Sequence, residues 1–199
     1  SDLVRAAGIF QRRDSYFTDI GPYHNHPDRL NEKAGRFAVL FQPSNFRAIA
    51  KVEWVDRNTG GFAYRPIAGT TFAYDRQDDD IRTLTYNAPT KVHERGFQSS
   101  LEMRYEFDGG VVLRSVSGYV NKRMNNLYDL DGAMTQLTPT PQNPAPASAT
   151  QTQNQFVRER EWVQEVNIIS PTNGAFNWIL GRYFQKNKID VDIQQTSSN

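Results

Sequence analysis

Segments that alternate apolar and polar residues are joined, in strict turn, by short and then long connections, and few folds tolerate that rhythm. The cleanest alternation runs from Gly96 to Phe107. Phe97, Ser99, Leu101, Met103, Tyr105 and Phe107 share one face, and Gln98, Ser100, Glu102, Arg104 and Glu106 the other. A period of two is the signature of a strand. Phe46 to Asp56 repeats it, with Ala48, Ala50, Val52 and Trp54 opposing Arg47, Lys51 and Glu53. Phe37, Val39 and Phe41 share a face just before it, and Trp162, Val166 and Ile168 alternate with Glu161, Glu165 and Asn167. Fainter patterns at about Leu3–Phe17, Val111–Met124 and Phe176–Ile189 complete a set of seven strands. Gln42–Asn45, Asp108–Gly110 and Pro171–Gly174 hold the residues of tight turns. The connections between them are long and polar: about Asp19–Lys33, Gly60–Arg95 and Asp131–Gln155. Thr138 to Pro146 is too rich in proline, which lacks the N–H, to pair in a sheet. Strand patterning resumes after it, so residues 1–199 read as one all-β domain, an antiparallel up-and-down meander.

Such a meander puts every short turn at one end and every long loop at the other. Compact domains in water rarely carry several structureless loops of that length, whereas outer-membrane barrels pair short periplasmic turns with long extracellular loops. The strands are long enough to cross a bilayer at a tilt. Trp54, Phe97, Phe107, Trp162, Trp178, Tyr183 and Phe184 fall near strand ends, where interfacial girdles form. In a bilayer Val52, Leu101, Met103 and Val166 would face lipid and the charged face a lumen. Every lipid-facing strand needs its backbone paired, so seven strands are expected to be part of a larger closed barrel. The alternative is a soluble antiparallel β-sandwich or barrel that binds a ligand, with the apolar faces packed on each other.

Trp162-Val163-Gln164-Glu165-Val166-Asn167-Ile168, followed after a turn by Trp178-Ile179-Leu180-Gly181-Arg182-Tyr183-Phe184, resembles a recurrent hairpin of TonB-dependent outer-membrane receptors. Leu113-Arg114-Ser115-Val116-Ser117-Gly118-Tyr119 is similar to another strand of that family, and Asp129-Leu130-Asp131-Gly132 sits where the family opens an extracellular loop. Arg36 to Ser44 resembles its strand ending in a Pro-Ser/Thr periplasmic turn. The four stretches follow the family's order across nearly the whole chain. The resemblance implies a bacterial outer-membrane receptor that binds a scarce nutrient of siderophore, haem, cobalamin or carbohydrate type. Import would be driven by TonB–ExbB–ExbD. The plug, the TonB box, the signal peptide and the last strand's terminal aromatic have no counterpart in these residues. This stretch would therefore supply about a third of a barrel of roughly 22 strands, and would meet TonB–ExbB–ExbD only through the missing plug.

Charge and side-chain chemistry narrow the remaining options. With 23 Lys+Arg against 22 Asp+Glu there is no electrostatic call for nucleic acid, and the absence of cysteine removes thiol chemistry and Cys-ligated metal. The longest apolar run, Phe37 to Phe41, is too short for a membrane-spanning helix. Ser1-Asp2-Leu3 opens without a leader and is expected to begin inside an element. His24 and His26, with Asp19 and Asp28, have the donor types for a transition metal, but a polar extracellular loop is the favoured reading. His93 is isolated. Asp75 and Asp78-Asp79-Asp80 lack the spacing of a Ca²⁺ loop and read as a loop tip. Arg36, Arg47, Arg104, Arg114, Arg158 and Arg160 offer a basic lumen strip, but the interspersed Glu53, Glu102, Glu106, Glu159 and Glu165 favour ion pairs along it. Gly60-Gly61 reads as a loop entry and Gly109-Gly110 as a hairpin turn. No nucleophile elbow or marked carboxylate pair is present, so no enzymatic activity, cofactor or metal is expected, and the ligand-contacting residues are not legible.

Overall fold

The computed structural model describes residues 2–67, 80–132, 135–136, 148–172 and 176–198. Seven long strands form one sheet: β1 (Leu3–Arg13), β3 (Leu30–Phe41), β4 (Phe46–Thr59), β6 (Lys91–Glu106), β7 (Val112–Asp129), β9 (Ser148–Ile169) and β10 (Ile179–Ser198). Each pairs antiparallel with the next long strand along the chain, in the order β1-β3-β4-β6-β7-β9-β10. The expected meander is therefore the observed one, and the described sheet is open, with β1 and β10 at its edges. Two short pieces, β2 (Thr18–Asp19) and β5 (Thr83–Leu84), pair in parallel with each other, and β8 (Thr135–Gln136) adds to β9.

The turn end forms as its residues dictate. Ser44 takes a left-handed φ of 44° between β3 and β4, where the Phe46 amide donates to the Pro43 carbonyl at 2.9 Å. Gly110, at φ 78°, closes the β6–β7 turn with its amide on the Phe107 carbonyl at 2.8 Å. The β9–β10 turn is pinned by Ser170, whose amide donates to the Trp178 carbonyl and whose hydroxyl accepts the Trp178 amide. Asn173 and Gly174 of that expected turn lie outside the described residues.

The strands reach further toward the loop end than alternation suggests. β3 begins at Leu30, β6 at Lys91 and β9 at Ser148, all inside segments expected to be loops, while β1 stops at Arg13. The reason is compositional. Gln151-Thr152-Gln153-Asn154-Gln155 is polar on both faces, so it offers no alternation. Its backbone still pairs with β7 as far as Asp129↔Thr152 and with β10 as far as Ser198↔Thr150. β9 and β10, at 22 and 20 residues, are about 70 Å long at the usual strand rise. That is roughly double the length that crosses a bilayer.

Register sorts the two faces. Phe46, Ala48, Ala50, Val52 and Trp54 of β4 lie opposite Tyr105, Met103, Leu101, Ser99 and Phe97 of β6. The same face continues through Phe37 and Val39 of β3 and Trp162, Val166 and Ile168 of β9. Its polar members on β7 and β9 satisfy one another: Ser117 donates to Gln164 at 2.6 Å, and Gln164 donates to Ser115 at 3.0 Å. Aromatics bound this band. Phe41 meets Phe46 and Tyr105 meets Phe107 at the turn end, and Phe97 meets Tyr119 at the other. Trp162 is 56% exposed, Leu180 67% and Phe184 54%. The largest fully buried side chains, Tyr86, Leu84, Asp129 and Pro27, instead lie at the loop end.

Candidate functional site

The loop end is a packed layer held by two carboxylates. Asp19 leaves the β2–β5 pairing deeply buried, and its side chain gathers three peptide groups and one amide. Oδ1 accepts the Gly21 and Tyr86 amides, each at 3.0 Å; Oδ2 accepts the Asn25 amide at 2.9 Å and Asn25 Nδ2 at 2.8 Å. Asn25 passes the connection on, donating to the Ala88 carbonyl and accepting the Thr90 amide. Asp129, at the far end of β7, accepts the Asn87 and Ala88 amides on Oδ2 and the Gly132 amide on Oδ1. The segment from Tyr86 to Thr90 is thus clasped from both sides. Tyr86 fills the space between: its hydroxyl accepts the Tyr64 amide at 2.8 Å and donates to the Tyr64 carbonyl at 2.7 Å. Burial pushes its phenol up to about 12, so it stays neutral.

Two glycines are required by close approach. A Cβ on Gly60 would stand 1.5 Å from the His26 carbonyl oxygen, and one on Gly21 1.9 Å from that of Tyr86. The first fits the expected loop entry at Gly60-Gly61. The second is a contact that no local pattern announces.

Asp129 gives the layer a pH dependence. It lies beyond the apolar band, where burial first, and then a side-chain hydrogen bond with Asp131, push its carboxyl well above the ordinary 3.8. The folded state then holds this proton more tightly than the unfolded chain. Stability from this group is full below the ordinary value and falls as pH rises from there through the raised one. Amide protection of Asn87, Ala88 and Gly132, corrected for intrinsic exchange, is expected to fall over that window, and Asp129→Asn to flatten the trend. A flat profile in the unaltered protein would refute the assignment.

The other sequence candidates are placed as follows. Asp28 receives Arg13 at 2.7 Å, and Asp19 is occupied by backbone, so neither joins His24 or His26. Among the described residues no three His, Cys, Asp or Glu side chains are arranged to share a metal ion. Asp80 caps its own turn, accepting the Arg82 amide and the Thr83 hydroxyl. Asp75, Asp78 and Asp79 lie outside the described residues. His93 is not isolated: its Nε2 lies 3.0 Å from Asp56 and 3.1 Å from Arg95 Nε. The charged face carries the expected ion pairs, with Arg36 on Glu53 at 2.5 Å, Arg114 on Glu102 at 3.0 Å and Arg104 on Glu106 at 3.4 Å. Arg57, bridging Glu32 and Glu94, joins them. Arg158 and Arg160 do not, because register sets them on the same face as Trp162, above the apolar band.

Around these anchors the layer presents an exposed surface. Tyr16, Ile20, Tyr23, Phe62 and Ile81 stand exposed on it, and Arg13 lies 4.7 Å over the Tyr16 ring. Sequence reasoning missed Asp19, Tyr86 and Asp129 as anchors, since the bonds that tie Asp19 and Asp129 to the Tyr86–Ala88 segment span 41 to 67 residues. Compared with models of known protein families, with curated proteins and with solved structures, the chain finds no match.

Proposed function

We propose that these residues form part of the wall and outer loop layer of a receptor barrel in a bacterial outer membrane, one that binds a small, scarce nutrient for import. The observation that carries this reading is the inversion of burial. The sheet leaves a band of Trp, Phe, Leu and Val open to its surroundings, while the deepest side chains sit in the loops. In water such a band would forfeit about 25 cal/mol for each Å² of apolar surface left uncovered; in lipid it is at home. The band's height supports the reading. Phe46 to Trp54 and Phe97 to Tyr105 each cover about 25 Å of strand, or nearly 20 Å once tilted, close to the apolar belt of outer-membrane barrels. Lumen-side ion pairs, a turn end of tight hairpins and a structured loop layer follow the same plan. Arg182 lies on the same face one step from the turn-end row of Leu180, near enough for its guanidinium to snorkel to the interface under this reading.

Ligand contact is assigned to the exposed surface of the loop layer, where Tyr16, Tyr23 and Phe62 offer aromatic faces. Energy coupling would come through TonB–ExbB–ExbD acting on a plug outside this stretch. A soluble sandwich would need a second sheet over the apolar band, and among the described residues only the two-residue β2–β5 pair lies off the main sheet. The test is membrane partition of the intact protein that carries this segment. Insertion into phosphatidylcholine vesicles, with Leu101 and Met103 accessible to lipid-borne quenchers, is expected. A monodisperse protein in detergent-free buffer would overturn the reading.

A further inference from the structure

Directly beyond the aromatic edge of the apolar band, the same face turns densely cationic. Register aligns Asp56, Arg95, Arg123, Arg158 and Asp190 in one row across five neighbouring strands, so three arginines stand side by side. Like charges directly opposite on paired strands repel. The carboxylates at the two ends do not relieve the middle. Asp56 is taken by His93 and Arg95, and Asp190 by Arg160 at 3.3 Å and Lys188 at 3.2 Å. Among the described residues no carboxylate reaches Arg123 or Arg158. The Nε atoms of Arg158 and Arg160 are buried with no acceptor, which leaves desolvated donors facing an unfilled need. Toward the band, Trp54 and Phe97 stand two residues from the row and Tyr119 and Trp162 four, while Phe156 lies two residues beyond it.

We propose that this arginine row seats phosphate-bearing headgroups of lipids in the membrane leaflet on the loop side. The inference rests on the membrane reading above. Phosphate is the chemistry that fits: its oxygens accept from several guanidinium groups at once, and its charge removes the repulsion between them. The level fits as well, since two residues of strand, about 7 Å, separate the row from Trp54 and Phe97. A free anion would need no adjoining apolar band, whereas a lipid uses both.

The intact protein, first inserted into phosphatidylcholine vesicles, would be extracted in neutral detergent and titrated with phosphatidic acid, phosphatidylcholine or inorganic phosphate under native mass spectrometry. Phosphatidic acid is expected to bind in preference to phosphatidylcholine and to resist competition by inorganic phosphate. Replacing Arg95, Arg123 and Arg158 together by Gln is expected to weaken it on the order of a hundredfold. Arg47→Gln, at the turn end of the opposite face, should leave it unchanged. Equal binding by the triple variant would overturn the proposal, as would full competition by inorganic phosphate. Failure at the first step, insertion into neutral vesicles, would instead reject the membrane reading, and the arginine seat with it.

Discussion

Asp19→Ala is expected to release the loop layer while leaving the sheet paired. The change strands the Gly21, Asn25 and Tyr86 amides and the Asn25 side-chain amide, two of them at buried bonds. A buried donor without a partner costs about 1–3 kcal/mol, so the layer should lose on the order of 3 kcal/mol or more. Hydrogen exchange locates the effect. Protection should collapse at Gly21, Asn25 and Tyr86 and persist at Val52 and Leu101. Asp19→Asn keeps one accepting oxygen and turns an NH₂ toward existing donors, so it should fall between the two. If the alanine variant kept its protection, the carboxylate would not be the clasp. The exposed Tyr23 and Phe62 ride on this layer, so under the proposed reading ligand affinity should fall with it.

Leu101→Arg tests the other half of the architecture. Leu101 lies opposite Ala50 on one side and Ser117 on the other, near the middle of the apolar band. A guanidinium facing lipid at that depth is expected to cost about 2–4 kcal/mol of insertion, and Met103→Arg less, because it stands in the row of Arg182, one step nearer the turn-end interface. Gln98→Arg is the comparison on the charged face of the same strand. It places the new cation beside Glu53, which already binds Gln98 at 2.5 Å, and should insert normally. Assembly into vesicles, read by the mobility shift of the folded form, separates the two variants. Equal assembly would mean that the apolar face does not meet lipid.

The sheet was legible in the sequence because its information is local. Alternation gives the strand, and Pro43-Ser44 and Gly109-Gly110 give the turns that fix register. Where composition loses its alternation, at Gln151 to Gln155 or Leu30 to Lys33, the strands run on unseen because their partners hold them. The loop layer was not legible for a related reason. Asp19 and Asp129 look like any polar loop residues, and only the folded sheet brings them to the segment between them. His93 and Asp56 are similar, being distant in sequence and adjacent through the β4–β6 register. Arg158 and Arg160 show the limit of reading charge without parity. Counting them with the arginines of the charged face ignored that even positions on β9 share the face of Trp162.

The clasp around Tyr86 to Thr90 also sets an order of events. Its bonds join residues 41, 65 and 67 positions apart, whereas each strand of the meander needs only its neighbour. Closing such loops in an open chain costs entropy that a few hydrogen bonds do not return. Once β3, β4, β6 and β7 have zipped together, Leu30, Thr59, Val92 and Asn126 stand side by side, and Asp19, Thr90 and Asp129 lie only 11, 2 and 3 residues from that row. The clasp therefore closes last, on a scaffold already assembled. A surface assembled this way takes its final shape only after the sheet beneath it is complete.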